Sequence, residues 1–191
     1  MGKIVITTNV SLDGVVQDPD GKEGSARGGW FETYGGNDLA AWAGLEAVEA
    51  AGAAAVLLGR ASDEWFASRW NDRDGEWADR LNGLPKYVVS STLDAAQWTN
   101  ATVLRGDVVD EVTRLKRGVD GEIVVYASFQ LVTSLIEHGL ADELRMVVFP
   151  VIVGAGARLF GDVVDTAGLR LIDVRRLGED LTFASYALAR E

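Results

Sequence analysis

Apolar and polar positions fall in blocks along the chain, and the period of each block indicates an element. Lys3–Thr8 (KIVITT) is nearly continuous in apolar and β-branched residues and predicts a buried strand. Residues 10–36 are rich in Gly and Asp and predict a long loop. From Asp38 to Ala51 an Ala-rich amphipathic pattern predicts a helix, with Asn37 or Asp38 as its N-cap. Ala55–Gly59 predicts a short strand, and a second helix begins over Ser62–Ser68. Residues 69–84 show no sustained period, only one helical turn near Trp77. Lys86–Ser90 and Thr102–Arg105 predict strands, and Val108–Arg117 a helix whose Val108, Val112 and Leu115 share a face. Glu122–Tyr126 predicts a strand, and Phe129–Glu137 a helix ended by His138-Gly139.

The rhythm then changes. Glu143–Phe149 predicts a strand ending at Pro150, and residues 151–161 carry Gly154, Gly156 and Gly161. Leu169–Leu177 and Leu181–Ala189 alternate around Gly178-Glu179-Asp180, the pattern of an antiparallel hairpin. Strand–helix alternation closed by a hairpin predicts an α/β fold with one mixed, mostly parallel sheet flanked by helices. With no internal repeat and no Pro-rich linker, residues 1–191 read as a single domain.

Composition narrows the chemistry. Acidic residues number 29 and basic ones 18, a net charge of −11, which argues against nucleic acid and anionic membrane as partners. The opening segment MGKIVITTNVSLDG is too short and too polar for a signal peptide or a membrane span, so a cytoplasmic protein is expected. The chain has no cysteine, which excludes disulfides, thiolate catalysis and cysteine-ligated metal. One histidine, His138, leaves no His-pair metal site and no Ser-His-Asp set, and its place at a helix C-terminus suits a structural role. No bound metal is expected.

Several strand ends carry groups suited to an anion. Gly59-Arg60-x-Ser62 runs from a strand into a helix, where free N–H groups and a guanidinium favour phosphate. Arg60 has an alternative use, pairing with Asp63 or Glu64. Ser90-Ser91-Thr92 offers hydroxyl donors at the next strand end, or else bonds its own turn. Tyr126-Ala127-Ser128 is another strand-to-helix junction, where a small residue allows close approach and Ser128 donates or caps. Asp13-Gly14 is a turn dipeptide, and Gly28-Gly29-Trp30-Phe31 is either a mobile aromatic loop or a hydrophobic plug. Gly154-Ala155-Gly156 lacks the strand–GxGxxG–helix setting of a dinucleotide fingerprint and reads as a turn.

Taken in order, these segments resemble the dihydrofolate reductase fold, in the branch of the C-terminal reductase domain of riboflavin biosynthesis. The resemblance is carried by Ser11-Leu12-Asp13-Gly14, Leu58-Gly59-Arg60-Ala61-Ser62, Ser90-Ser91-Thr92 and Tyr126-Ala127-Ser128. It continues through His138-Gly139-Leu140-Ala141-Asp142-Glu143 and the segment PVIVGAGARLF from Pro150 to Phe160. It spans nearly the whole chain and implies a dihydrofolate reductase-like three-layer fold, NADPH as cofactor, hydride transfer and a homodimer.

On that resemblance Gly59, Arg60, Ser62, Ser90, Ser91, Ala127 and Ser128 seat the cofactor, with Arg60, Ser90 and Ser91 at its 2′-phosphate. Asp13 orients substrate or relays a proton. Trp30, Asp38 and Gly154 shape the substrate end, although capping competes for Asp38. Ala127 stands where the family usually has Gly, and a positive φ there would cost about 1 kcal/mol or more. The expected activity is an NADPH-dependent reductase of a small heterocyclic or conjugated substrate, including a stand-alone pyrimidine reductase. The rival is a non-catalytic ligand-binding or scaffold member of the same fold.

Overall fold

The computed structural model describes residues 1–161 and 166–188. In chain order the elements are β1 (Lys3–Ser11), α1 (Trp30–Gly35), a 3-10 turn (Gly36–Asp38), α2 (Leu39–Gly52), β2 (Ala53–Gly59), α3 (Arg60–Trp70) and α4 (Glu76–Gly83). They continue as β3 (Lys86–Val89), β4 (Ala101–Leu104), α5 (Val108–Gly118), β5 (Glu122–Tyr126), α6 (Phe129–Glu137), β6 (Glu143–Phe149), β7 (Leu169–Leu177) and β8 (Leu181–Leu188). The fold is α/β, and its mixed, mostly parallel sheet has eight strands in the order β4-β3-β2-β5-β1-β6-β8-β7. Residues pack into two compact units, one of Met1–Ile6 with Ala47–Glu143 and one of Thr7–Glu46 with Leu144–Glu191.

In the first unit β2 pairs in parallel with both β3 and β5, and β3 with β4. An inner parallel strand is covered on both faces, which is why β2 reads AAAVLLG without alternation. Val56, Leu58, Leu81, Leu84, Trp98 and Val124 form a buried core, with Phe66, Trp70 and Tyr126 packed against it. Phe66 stacks on Trp98 at 4.9 Å, so these aromatics are packing groups. Asp63 is fully buried and accepts from the backbone N–H of Gln97 (2.7 Å) and Trp98 (3.1 Å). Lys86, 1% exposed, donates Nζ–H to the carbonyls of Leu84, Thr99 and Asn82 at 2.8, 2.8 and 3.0 Å and lies 4.5 Å over Trp98. Burial pulls its pKa down to about 8, against the pull of Asp63. Asp142, in the predicted lead-in to β6, accepts from the N–H of Ile4 (2.8 Å) and from Lys116 Nζ (2.5 Å).

In the second unit Val15, Trp30, Val147, Phe149, Leu181 and Phe183 are buried together. β7 and β8 pair antiparallel from Leu177↔Leu181 outward, the predicted hairpin, and the predicted Ala189 end lies outside the described residues.

Three expectations need correcting. The loop expected over residues 10–36 contains α1, and β1 runs on to Ser11. α1 starts from a left-handed Gly29 with no side-chain cap and is held by aromatic contacts of Trp30 with Phe149 (5.4 Å) and Phe31 with Trp42 (4.8 Å). The stretch expected to be irregular contains α4, whose Arg80 donates to the carbonyls of Ala50, Ala51 and Ala53 at 2.9, 3.1 and 2.7 Å. Asp38 sits in the 3-10 turn, and its carboxylate accepts from Glu179 and Asp180 N–H (2.7 Å each) and Leu181 N–H (3.3 Å), the turn of the β7–β8 hairpin.

Candidate functional site

Parallel pairing aligns the strand ends of the first unit. Gly59 lies opposite Val89 on β3, and Leu57 opposite Val125 on β5. The residues leaving these strands, Arg60, Ser90 and Ala127, are therefore neighbours on the carboxyl edge of the sheet, where open α/β sheets bind ligands. Arg60 Nη1 donates to Thr92 Oγ1 at 3.4 Å, and its Nε lies 3.8 Å from Glu64 Oε1. Its side chain is 56% exposed, so the ion pair leaves the guanidinium open to solvent. The grouping of Arg60 with the Ser-Ser-Thr segment, expected from sequence, is present, and Thr92 is the hydroxyl that touches it. Ser90 Oγ accepts from Thr92 N–H (3.3 Å) and Leu93 N–H (3.1 Å), the turn-bonding alternative.

Ser128 joins the other two strand ends. Its Oγ accepts from Gly59 N–H at 2.9 Å and lies 2.8 Å from Ser62 Oγ and 3.1 Å from the Tyr126 carbonyl. The hydroxyl proton serves one of the last two oxygens at a time. Neither α3 nor α6 has a side-chain cap on its first N–H groups. Ala127 and Ser128 both adopt positive φ, 50° and 59°. Two consecutive left-handed residues with a Cβ store roughly 1–2 kcal/mol each.

In the second unit Asp13 is tied to the loop after β6. Asp13 Oδ1 accepts from Ser11 Oγ–H (2.7 Å) and Val153 N–H (3.0 Å), and Oδ2 from Gly154 N–H (2.8 Å). Arg158 Nη2 stands 3.7 Å from the same carboxylate. The Ser11 hydroxyl first, then the backbone donors, hold the Asp13 carboxyl down to about 2. Gly154 has φ +84°, and a Cβ there would stand 2.7 Å from Arg27 Nη1, which donates to Val153 O. Asp13 and Gly154, expected at one site, are thus in direct contact.

Trp30 and Asp38 have other surroundings. Trp30 is 3% exposed, donates Nε1–H to Gln17 O at 3.1 Å and packs on Phe149, the plug alternative. Asp38 is buried against the hairpin turn, and the N–H groups of Asp180 and Glu179 hold its carboxyl below the usual range. His138 Nδ1 lies 2.8 Å from Ser134 O at the end of α6, a structural place.

Sequence reasoning missed Asp18, Arg27 and Arg158. Asp18, 1% exposed, accepts from Glu23 N–H (2.9 Å) and Ser25 N–H (2.8 Å) and organises the loop before α1. Its signal was the PDG-type turn composition around it, which marks a turn without revealing which Asp turns inward. Among the described residues no group of three or more His, Cys, Asp or Glu is placed to hold a metal ion. Among them too, no helix is long and apolar enough to cross a membrane.

A sheet of this order, with helix starts ranged along its carboxyl edge, defines an open α/β fold. Residues 2–183 match the RibD C-terminal domain family, and the chain belongs to that family. The uncharacterised protein YyaP of Bacillus subtilis (strain 168) is 32% identical over 126 residues, 63% of this chain and 66% of that protein, just under two thirds of its length. YwjB of the same organism, also uncharacterised, is 24% identical over 184 residues, 93% of each chain. Among solved structures, a putative riboflavin biosynthesis protein from Shewanella sp. PV-4 has a TM-score of 0.74 at 20% identity, covering 98% of this chain and 99% of that one. The riboflavin biosynthesis reductase Rib7 of Saccharomyces cerevisiae has a TM-score of 0.59 at 12% identity (99% and 89% covered). Dihydrofolate reductase of Enterococcus faecalis has a TM-score of 0.58 at 14% identity (98% and 97% covered). These structural likenesses establish the fold.

Proposed function

We propose that this chain is an NADPH-dependent reductase that delivers hydride to a small heterocyclic or conjugated substrate. The observation that carries the reading is the row Arg60–Thr92, Gly59–Ser128–Ser62 on three adjacent parallel strand ends. The donor set fits a phosphorylated dinucleotide: a solvent-open guanidinium, flanking hydroxyls and two helix starts without side-chain caps. Bound NADPH would supply the hydride, so the protein needs to supply little besides position and a dry site. Arg60, Ser90 and Ser91 hold the 2′-phosphate. Gly59, Ser62, Ala127 and Ser128 hold the pyrophosphate, with the Ser128 hydroxyl fixing the spacing of the two helix starts. Asp13, ionised at any physiological pH, positions the Val153–Gly154 backbone and is not a proton donor.

The test is a titration of NADPH and NADH, read by tryptophan fluorescence, on the native chain and on Arg60→Ala. The native chain should prefer NADPH, and Arg60→Ala should weaken NADPH binding roughly 10- to 100-fold while sparing NADH. An unchanged preference in the variant would remove Arg60 from the site.

One observation favours a second reading, a ligand-binding member without turnover. The left-handed backbone at Ala127 and Ser128 is strained, where Gly would relieve it. Cofactor oxidation across a panel of conjugated acceptors separates the two: oxidation supports the reductase, whereas binding without oxidation supports the scaffold.

A further inference from the structure

The guanidinium of Arg60 is shared between two partners. Nη1 donates to Thr92 Oγ1 at 3.4 Å, toward the hydroxyl turn, while Nε lies 3.8 Å from Glu64 Oε1, one helical turn further along α3. The sequence offers this arginine two carboxylates, Asp63 and Glu64. Asp63 is fully buried, and its two oxygens take the N–H groups of Gln97 (2.7 Å) and Trp98 (3.1 Å). Glu64 is the carboxylate that meets Arg60, with a side chain 46% exposed. At 3.8 Å the contact is an ion pair without a hydrogen bond. A pair of this kind between exposed side chains is weak, so it restrains the guanidinium without locking it. An acid here is out of keeping with a phosphate seat, which selects cations and N–H donors. Glu64 also lies past the first turn of α3, where an acid would gain from the helix dipole.

We propose that Glu64 is the residue that sets the balance between NADPH and NADH at this site, an inference that rests on the reductase reading above. The two cofactors differ only at the 2′ position of the adenosine ribose, which carries a phosphate in one and a hydroxyl in the other. A 2′-phosphate on Arg60 needs the guanidinium to itself. Binding it breaks the pair with Glu64 and sets the carboxylate beside a second anion, at a cost to affinity. A 2′-hydroxyl asks for the opposite: it donates a hydrogen bond, and an ionised carboxylate is a strong acceptor for it. In dinucleotide sites generally, an acidic residue takes the free hydroxyl and an arginine takes the phosphate. Here both groups stand on one face of one helix, 3.8 Å apart. The acid therefore keeps NADH usable and holds the preference for NADPH below what Arg60 and the hydroxyl turn would give alone.

Titration of the full chain with NADPH and with NADH, read by tryptophan fluorescence, tests this without any turnover. Glu64→Gln keeps side-chain length and helix propensity. It should tighten NADPH roughly 5-fold and weaken NADH roughly 2-fold, raising the preference about 10-fold. Glu64→Lys should raise the preference further. The opposite signs carry the test, because a variant that only loosened α3 would weaken both cofactors. Asp120→Asn removes the same charge at an exposed site just before β5, on the amino edge of the sheet, and should leave the preference unchanged. A preference unmoved by Glu64→Gln, or two affinities that move together, overturns the proposal and leaves the Arg60 site standing. An equal shift in Asp120→Asn assigns the effect to net charge and overturns it too. A native chain that binds neither cofactor overturns the reductase reading and this inference with it.

Discussion

Asp13 shows how a residue's surroundings choose among its possible roles. A turn aspartate with Gly after it has three uses in sequence: turn former, substrate orienter and proton relay. Donors from Ser11, Val153 and Gly154 converge on the carboxylate and lower its pKa to about 2 from an ordinary 3.8. A folded-state pKa below the unfolded one adds stability that is present above pH 3.8 and lost as pH falls through about 2. Acid unfolding of the native chain should therefore steepen in that window, and Asp13→Asn should remove the steepening. Identical acid profiles for the two proteins would show that the carboxylate's charge is not what holds the loop. Asp38 followed the same logic with other partners. Its place beside a predicted helix start suggested a cap, but the hairpin turn 141–143 residues later offered N–H donors that no local pattern could announce.

At the scale of elements, strands β2, β3, β5 and β6 and helices α5 and α6 were legible because their apolar positions are numerous and regular. The two missed helices lack that signal. α1 (WFETYG) is made of residues with weak helix propensity between glycines, and its six residues are held by aromatic packing. α4 (EWADRLNG) is short, and its anchor is Arg80, which closes the carbonyls at the end of α2 and the start of β2. Arg80→Ala should thus cost about 2 kcal/mol and lower Tm by roughly 4–8 °C in a thermal melt. An unchanged Tm would mean water replaces the guanidinium at those carbonyls. The hairpin was legible in its turn, but not the bulge at Ile172, because a single extra residue leaves the apolar count unchanged while reversing which face each side chain takes.

At the scale of the whole molecule, the chain passes between its two compact units at residues 6–7, 46–47 and 143–144. Each crossing falls inside a regular element: β1, α2 and β6. Separate domains are joined by exposed linkers, and none of the crossings is one. We therefore propose that residues 1–191 fold as one domain. Circular dichroism and tryptophan fluorescence should report a single coincident thermal transition, and two separated transitions would refute it. The sequence by itself determined the α/β class, the closing hairpin and the set of anion-suited strand ends, because hydrophobic period and strand-end chemistry are local properties of the chain. Which of those ends are neighbours was decided only by the parallel pairing of β3, β2 and β5. The fates of Asp13, Trp30 and Asp38, and the face that β7 leaves to solvent, also depended on partners distant in sequence, because contact is made in space.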